Sequence, residues 1–353
     1  MALISRLASF LAFAAVSCSA FTVPGSKASL RTTHVFAQEP HDISSSEKHD
    51  DASQGRRDFL TIAAGASTLP FFLLQPVLAR EDGTSTPAGS ICVIGANGKT
   101  GSECVGACLA RGINVVATSR GGEYTGVYNT EENKDKGIQS KVCDVTIPST
   151  VLSAIKGSRA VIFAASSSKA GGTPAAVDNL GLVNVAKACI EYQIPHLVVV
   201  SSGAVTKPDS PVFKFLNIFG KIMEEKIKGE DTLRDMFKNV NGSTYTVIRP
   251  GGLTEEPGKG VGALELNQGD SKSGRISRSD VASLCIEATN YPKDAGGTTF
   301  ECYDTATGKP LQTVGISNIL KQKNSGSNVV FVSGKERIGA TWADIFTGLE
   351  KDS

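Results

Sequence analysis

From residue 90 onward, short apolar runs alternate with longer segments whose apolar residues recur every three to four positions. The short runs fall at 90–94, 114–118, 140–143, 160–164, 196–200 and 245–248, and each is the length of a strand. The run at 196–200 is apolar almost throughout, as expected of a strand buried on both faces. Helical periodicity covers 101–110, a segment opening at Pro148, 175–192, 218–237, 280–289 and 342–349. Gly112 suits the end of the first helix, Pro148 suits a first helical turn, and Ser277 or Ser279 suits an N-cap before Asp280. Residues 121–137 read as a polar loop, 298–303 as a further strand, 321–328 as a loop and 329–332 as a short strand. No internal repeat is visible. The order predicts an α/β domain: a doubly wound parallel sheet with helices on both faces and ligands at the carboxyl ends of its strands.

The first eighty residues have a different pattern. Residues 1–20 carry one basic residue, Arg6, then an apolar run and small residues ending at Ala20, which is a secretory signal pattern. Residues 21–55 read as a transit segment and linker: the stretch to Arg31 is rich in Ser, Thr and Lys, and residues 38–58 are polar and charged with no helical or strand period. The Ala20-Phe21 junction resembles bipartite plastid presequences, in which Phe follows the cleavage point. Within 56–80, Arg56-Arg57-Asp58-Phe59-Leu60 precedes an apolar stretch that closes on Val77-Leu78-Ala79. This matches a twin-arginine export signal; the alternative is an uncleaved membrane anchor. Pro70, Pro76 and Gly65 weaken the run as a helix, so the export signal is favoured. A plastid protein is expected, with the thylakoid lumen favoured and the stroma or an anchored form as alternatives.

Residues 81–353 carry 29 Lys/Arg and 29 Asp/Glu, so no charge excess points to nucleic acid. The 88–350 segment suits one large domain. Its seven cysteines form no C-x-x-C, and no His stands at metal-ligand spacing. Cys104 and Cys108 share a helix face, and packing is the expected role of all seven; no metal site is expected.

The densest chemical signal lies where the first strand ends. Gly95-Ala96-Asn97-Gly98-Lys99-Thr100-Gly101 is a G-x-x-G-x-x-G turn between a strand and a helix. Glycines let backbone approach an anion, and the unpaired N–H groups of a first helical turn point at it. Gly98-Lys99-Thr100 mimics the end of a P-loop, but that motif needs a glycine where Val93 stands. A dinucleotide pocket is expected, with Gly95, Asn97, Gly98, Lys99, Thr100 and Gly101 around the diphosphate. The second strand ends in Thr118-Ser119-Arg120, with no acid until Glu123. An acid there would accept from a ribose 2′-OH, whereas Arg120 suits a 2′-phosphate, so NADP(H) is expected over NAD(H). Asp144 is placed to meet the adenine, or else to form a turn. Ala164 and Ala165 are small enough to let the chain pass close to the ribose and diphosphate.

The glycine turn joins Arg120, Asp144, Ser201-Ser202-Gly203, Arg249-Pro250-Gly251-Gly252-Leu253 and Ile276-Ser277-Arg278-Ser279-Asp280-Val281-Ala282. Together these resemble the atypical short-chain dehydrogenase/reductases, in particular the NAD(P)-binding, NmrA-like group of plastids. The resemblance spans about 88–350 and implies a Rossmann-type fold, with Ser201, Pro250 and Gly251 near the cofactor. Orthodox members use Ser, Tyr and Lys, with Tyr four residues before Lys. Here Ser201 or Ser202 matches the serine and Lys226 the lysine, so Ser202 and Lys226 are the catalytic candidates; Lys221 and Lys228 are alternatives. The tyrosine position holds Ile222, which transfers no proton. Lys226 and Glu230, four apart, are alternatively a surface ion pair, and Arg278 with Asp280 a brace. Two functions are then expected. One is an NADP(H)-binding protein that senses redox state or serves as a scaffold for a thylakoid protein complex. The other is an NADPH-dependent oxidoreductase or isomerase with its proton donor elsewhere.

Overall fold

A computed structural model of the chain describes residues 89–313 and 332–353, apart from positions 134, 169, 170 and 219. The addressing segments, the loop at 321–328 and most of the strand expected at 329–332 lie outside the described residues; Val332 itself is not in a strand.

Strands β1 (Ser90–Ile94), β2 (Val115–Ser119), β3 (Ile138–Val142), β4 (Ser158–Phe163), β5 (His196–Val200) and β6 (Thr244–Pro250) are all parallel. Ile91 of β1 is opposite Val115 on one side and Ala160 on the other. Further along the chain come β7 (Gly252–Thr254), β8 (Leu264–Asn267), β9 (Lys272–Ser273), β10 (Arg275–Ser277), β11 (Thr298–Asp304) and β12 (Lys309–Pro310). The main sheet has the order β3-β2-β1-β4-β5-β6-β11-β8, with β8 antiparallel at the edge. The chain reverses direction across the sheet between β1 and β4, which places a crevice at the carboxyl ends of those strands. Outside this sheet, β7 pairs with β10 and β9 with β12.

The helices are α1 (Lys99–Ala110), α2 (Pro148–Ile155), α3 (Leu182–Glu191), α4 (Pro211–Asn217), α5 (Ile222–Phe237), α6 (Arg278–Asn290) and α7 (Trp342–Phe346). Strand alternation sorts the core onto two faces. Ile91, Val93, Val115, Ala160 and Val198 pack with Cys104, Cys108, Leu284 and Cys285 of α1 and α6. Cys92, Ile94, Val161, Leu197 and Val199 pack on the other side with Val151, Val185, Cys189 and Leu233 of α2, α3 and α5. All seven cysteines are buried free thiols, and burial raises those of Cys92, Cys108 and Cys189.

Three expectations change. The helix expected at 218–237 starts only at Ile222, as α5, because Gly220 and Lys221 both take positive φ, 78° and 64°, and α4 before it is a helix the sequence reading did not include. The helix expected at 175–192 opens with a wider π turn, Ala175–Gly181, before α3. The 342–349 helix is shorter, ending at Phe346, with Thr341 and Asp344 forming a capping box at its start.

Packing at the first turn of α1 is tightest at Gly101, where a Cβ would sit 2.1 Å from the Gly95 carbonyl oxygen. Gly101→Ala should therefore cost about 1–3 kcal/mol in urea unfolding. Gly262→Ala, with nothing within 4 Å, should stay within about 0.5 kcal/mol of wild type.

Candidate nucleotide-binding site

The glycines of the turn have separate tasks. Gly95 takes φ +82°, and a Cβ there would lie 2.9 Å from the backbone of Ala165, so the turn rests against the chain leaving β4. Gly101 lets the first turn of α1 pack on Gly95. Gly98 is the N-cap of α1, with no side-chain capping bond and no acid in the first turn. The positive end of the helix dipole is thus left to an external anion. Asn97 ties the turn to the loop after β2: its amide donates to the Glu123 carbonyl at 2.9 Å and accepts from the Thr125 N–H at 2.8 Å.

A cleft of about 560 Å³ opens over this turn. Gly95, Asn97, Gly98, Arg120, Asp144, Ala164 and Ala165 line it, together with Glu123, Ser166 and Val177. Asp144 lies beside Arg120, but one of its oxygens also accepts from the N–H and hydroxyl of Thr146, at 2.9 and 2.7 Å. Those two bonds are the largest cause holding its carboxyl below the usual range, with Arg120 a lesser one. Asp144 therefore shapes the turn after β3 as well as the cleft wall. Lys99 points out of this cleft into a second one of about 630 Å³, where it pairs with Glu255. Thr100 and Gly101 line neither.

The residues expected at the nicotinamide end do not line this cleft; Ser201, Ser202, Lys226, Pro250 and Gly251 are absent from its walls. Gly251 has an internal reason: a Cβ there would meet the Gly274 carbonyl oxygen at 2.4 Å. Ser201 donates to Glu230 at 2.5 Å, and Ser202 to the Gly203 carbonyl at 3.1 Å. Lys226 does not pair with Glu230. Its ammonium lies 2.8 Å from Asp178, whose other bonds come from the Ser166 hydroxyl at 2.7 Å and the Ser167 N–H at 2.9 Å. Lys221 and Lys228 sit on the exposed side of α5, against Glu224 and Glu225. Arg278 and Asp280 are no brace: Asp280 accepts from Ser277 and from the N–H groups of Lys259 and Gly260, while Arg278 reaches the Thr254 carbonyl. His196 is structural, buried against Thr246 at 2.8 Å, and burial lowers its pKa to about 3.

Asp178 had no signal in the sequence. It lies in the π turn before α3, and Gly229 of α5 packs so closely that a Cβ would sit 2.7 Å from the Asp178 carbonyl oxygen. This packing and the Asn179 amide, which donates to Glu225 at 2.9 Å, join two elements distant in sequence and bring Lys226 to Asp178. Burial raises the Asp178 carboxyl, but Lys226 and the two serines outweigh burial and hold it below its ordinary value.

A glycine turn at the switch point of a parallel sheet, an uncapped helix start and an arginine at the end of β2 define a Rossmann-type nucleotide-binding protein. The chain belongs to the NAD(P)H-binding family, whose pattern matches residues 95–292. It is 33% identical over 207 residues to the "Uncharacterized protein At2g34460, chloroplastic" of Arabidopsis thaliana, covering 56% of this chain and 71% of that one. Among solved structures it is similar to a putative NAD-dependent epimerase/dehydratase from Bacillus halodurans: TM-score 0.50, 24% identity, 64% of this chain and 98% of that one. A short-chain dehydrogenase/reductase from Veillonella parvula in complex with NADP gives TM-score 0.50 at 15% identity, covering 62% and 96%. The Rossmann-type fold that the resemblance implied is thus shown, and the family shown is the NAD(P)H-binding one.

Removing the Asp178 charge strands Lys226, whose side chain is only 12% exposed. Asp178→Asn should cost at least about 2 kcal/mol at pH 7, by urea unfolding. Because the folded carboxyl titrates below its unfolded value of about 3.9, this contribution is present above that pH and lost as pH falls through the folded value. The acid limb of the stability profile should accordingly be shallower in Asp178→Asn.

Proposed function

We propose that the protein binds NADP(H) in a plastid and acts as a redox-sensing or scaffold protein with weak or no orthodox reductase activity. One observation carries the reading: every group that matches the family's catalytic set is held internally. Ser201 is bound to Glu230, Ser202 to the Gly203 carbonyl and Lys226 to Asp178, and α5 contains no Tyr, with Ile222 at its first position. The cleft over the glycine turn is in contrast open, with Arg120 in its wall. Arg120 favours a 2′-phosphate through charge-assisted hydrogen bonds, which supports NADP(H) over NAD(H). The plastid reading rests on the pattern of residues 1–55 and on the chloroplastic relative; residues 56–80 favour the thylakoid lumen, where a protein complex is the proposed partner.

The alternative is an NADPH-dependent oxidoreductase or isomerase. The chain Lys226–Asp178–Ser166 favours it, because Ser166 lines the cleft and is connected to a buried carboxylate and an ammonium. In that reading Ser166 or Ser202 stands near the reacting group, and the substrate supplies part of the proton transfer.

NADPH fluorescence titration should give saturable binding, weakened about 10- to 100-fold in Arg120→Ala with little change for NADH. Gly98→Asp should abolish binding, since its carboxylate would occupy the diphosphate position. A panel of carbonyl and enone compounds should give no NADPH oxidation. Steady oxidation lost in Lys226→Ala would establish the alternative.

A further inference from the structure

The second cleft adjoins the first at the glycine turn, since Asn97, Gly98 and Thr125 line both. Two cations enter it from different helices: Lys99 is the first residue of α1 and Arg278 the first of α6. Both are directed at a single oxygen. Lys99 pairs with Oε1 of Glu255, and a guanidinium nitrogen of Arg278 stands 3.7 Å from the same atom. The Arg278 side chain is only 15% exposed, yet among the described residues its one hydrogen bond is a 3.4 Å contact with the Thr254 carbonyl. A guanidinium has five N–H donors, so Arg278 has donors to spare in the cleft wall.

Glu255 is the exposed member of this group, at 67%, and it sits in a short arch between two fixed points. Before it, Thr254 is paired with Ser277 where β7 meets β10. After it, Gly258 packs so closely on α6 that a Cβ would lie 2.9 Å from an Asp280 carboxylate oxygen. Asp280 also accepts from the N–H groups of Lys259 at 2.9 Å and Gly260 at 3.0 Å. Only Glu255, Glu256 and Pro257 lie between these anchors, so the Glu255 carboxylate can turn to solvent while the loop stays in place. An exposed ion pair adds little stability, so the move costs little. Glu103, on another wall, is occupied by the Tyr128 hydroxyl at 3.0 Å. Val127 and Pro257 supply apolar surface beside the cations.

We propose that this cleft binds a small organic anion, a carboxylate or a phosphate monoester, whose charged group takes the place of the Glu255 oxygen between Lys99 and Arg278. Glu255 is the internal occupant that the ligand displaces, and Val127 and Pro257 contact the ligand's apolar body. The site is separate from that of the dinucleotide, because Lys99 and Arg278 line the second cleft and not the first.

Ligand-observed NMR with phenyl phosphate and benzoate tests the two anion types, with benzyl alcohol as the neutral control. At least one anion should bind saturably below about 10 mM, and the alcohol should not. Glu255→Gln should tighten binding about threefold. Glu256→Gln removes the same charge from the same arch and should leave affinity nearly unchanged. Arg278→Gln should weaken binding about tenfold. Should that variant not fold, Lys99→Gln, at a half-exposed side chain, is expected to weaken it in the same direction. Saturating NADPH should leave the probe bound. Displacement by NADPH would assign the position to a phosphate of the dinucleotide, and equal effects of Glu255→Gln and Glu256→Gln would reduce it to general charge. Either result, or no saturable binding of either anion, overturns the proposal. A chain that takes up the anion but no NADPH keeps this site and loses the dinucleotide reading.

Discussion

The contact on which the site depends is that of Gly95 with the chain leaving β4. There is no room for a Cβ at Gly95 or Gly101, so the turn, the first turn of α1 and the end of β4 share one compact volume. This approach fixes the direction of α1 and with it the direction of its dipole. It also sets the floor of the cleft, because Ala164 and Ala165 form the wall against which the turn rests. Arg120 and Asp144 then reach the same cleft because β2 and β3 lie beside β1 in parallel register. The nucleotide-binding half is therefore a property of backbone geometry, with few side chains needed.

The other half is governed by buried charge. A lysine or serine held by a buried carboxylate is ordered, and it is also occupied. Lys226 at Asp178 and Ser201 at Glu230 are stabilised in place by partners whose loss would leave a charge or hydroxyl without compensation. A short-chain reductase needs a phenol whose proton can leave, and Ile222 supplies none. The two halves are thus built differently, one open to an anion and one closed on itself.

Much of the fold was legible because the central strands are buried on both faces and read as apolar runs; β5 was placed at its observed limits. The edge strand β8 was not legible. Its sequence Leu264-Glu265-Leu266-Asn267 alternates polar and apolar residues, yet all four are buried, Glu265 being matched by Lys272 from a neighbouring segment. The short helix α4 was not read at all, and the helix expected from 218 starts only at Ile222 because the backbone turns at Gly220 and Lys221. In the site, Arg120, Asp144 and the glycines were visible because their chemistry is local to a strand end. Asp178 and the role of Glu230 were not, because each depends on pairing between elements distant in sequence. The Arg249-Pro250-Gly251-Gly252 segment was read for its glycines, and Gly251 instead answers to packing against Gly274.

The most direct test of the central claim, an NADP(H)-binding protein of this family, is mass-spectrometric identification of the nucleotide that co-purifies with the chain from its native organelle. The account predicts NADP(H) at close to one equivalent per chain. Recovery of a nucleotide-sugar in its place, or of no nucleotide from a chain that also fails to take up added NADPH, would contradict it.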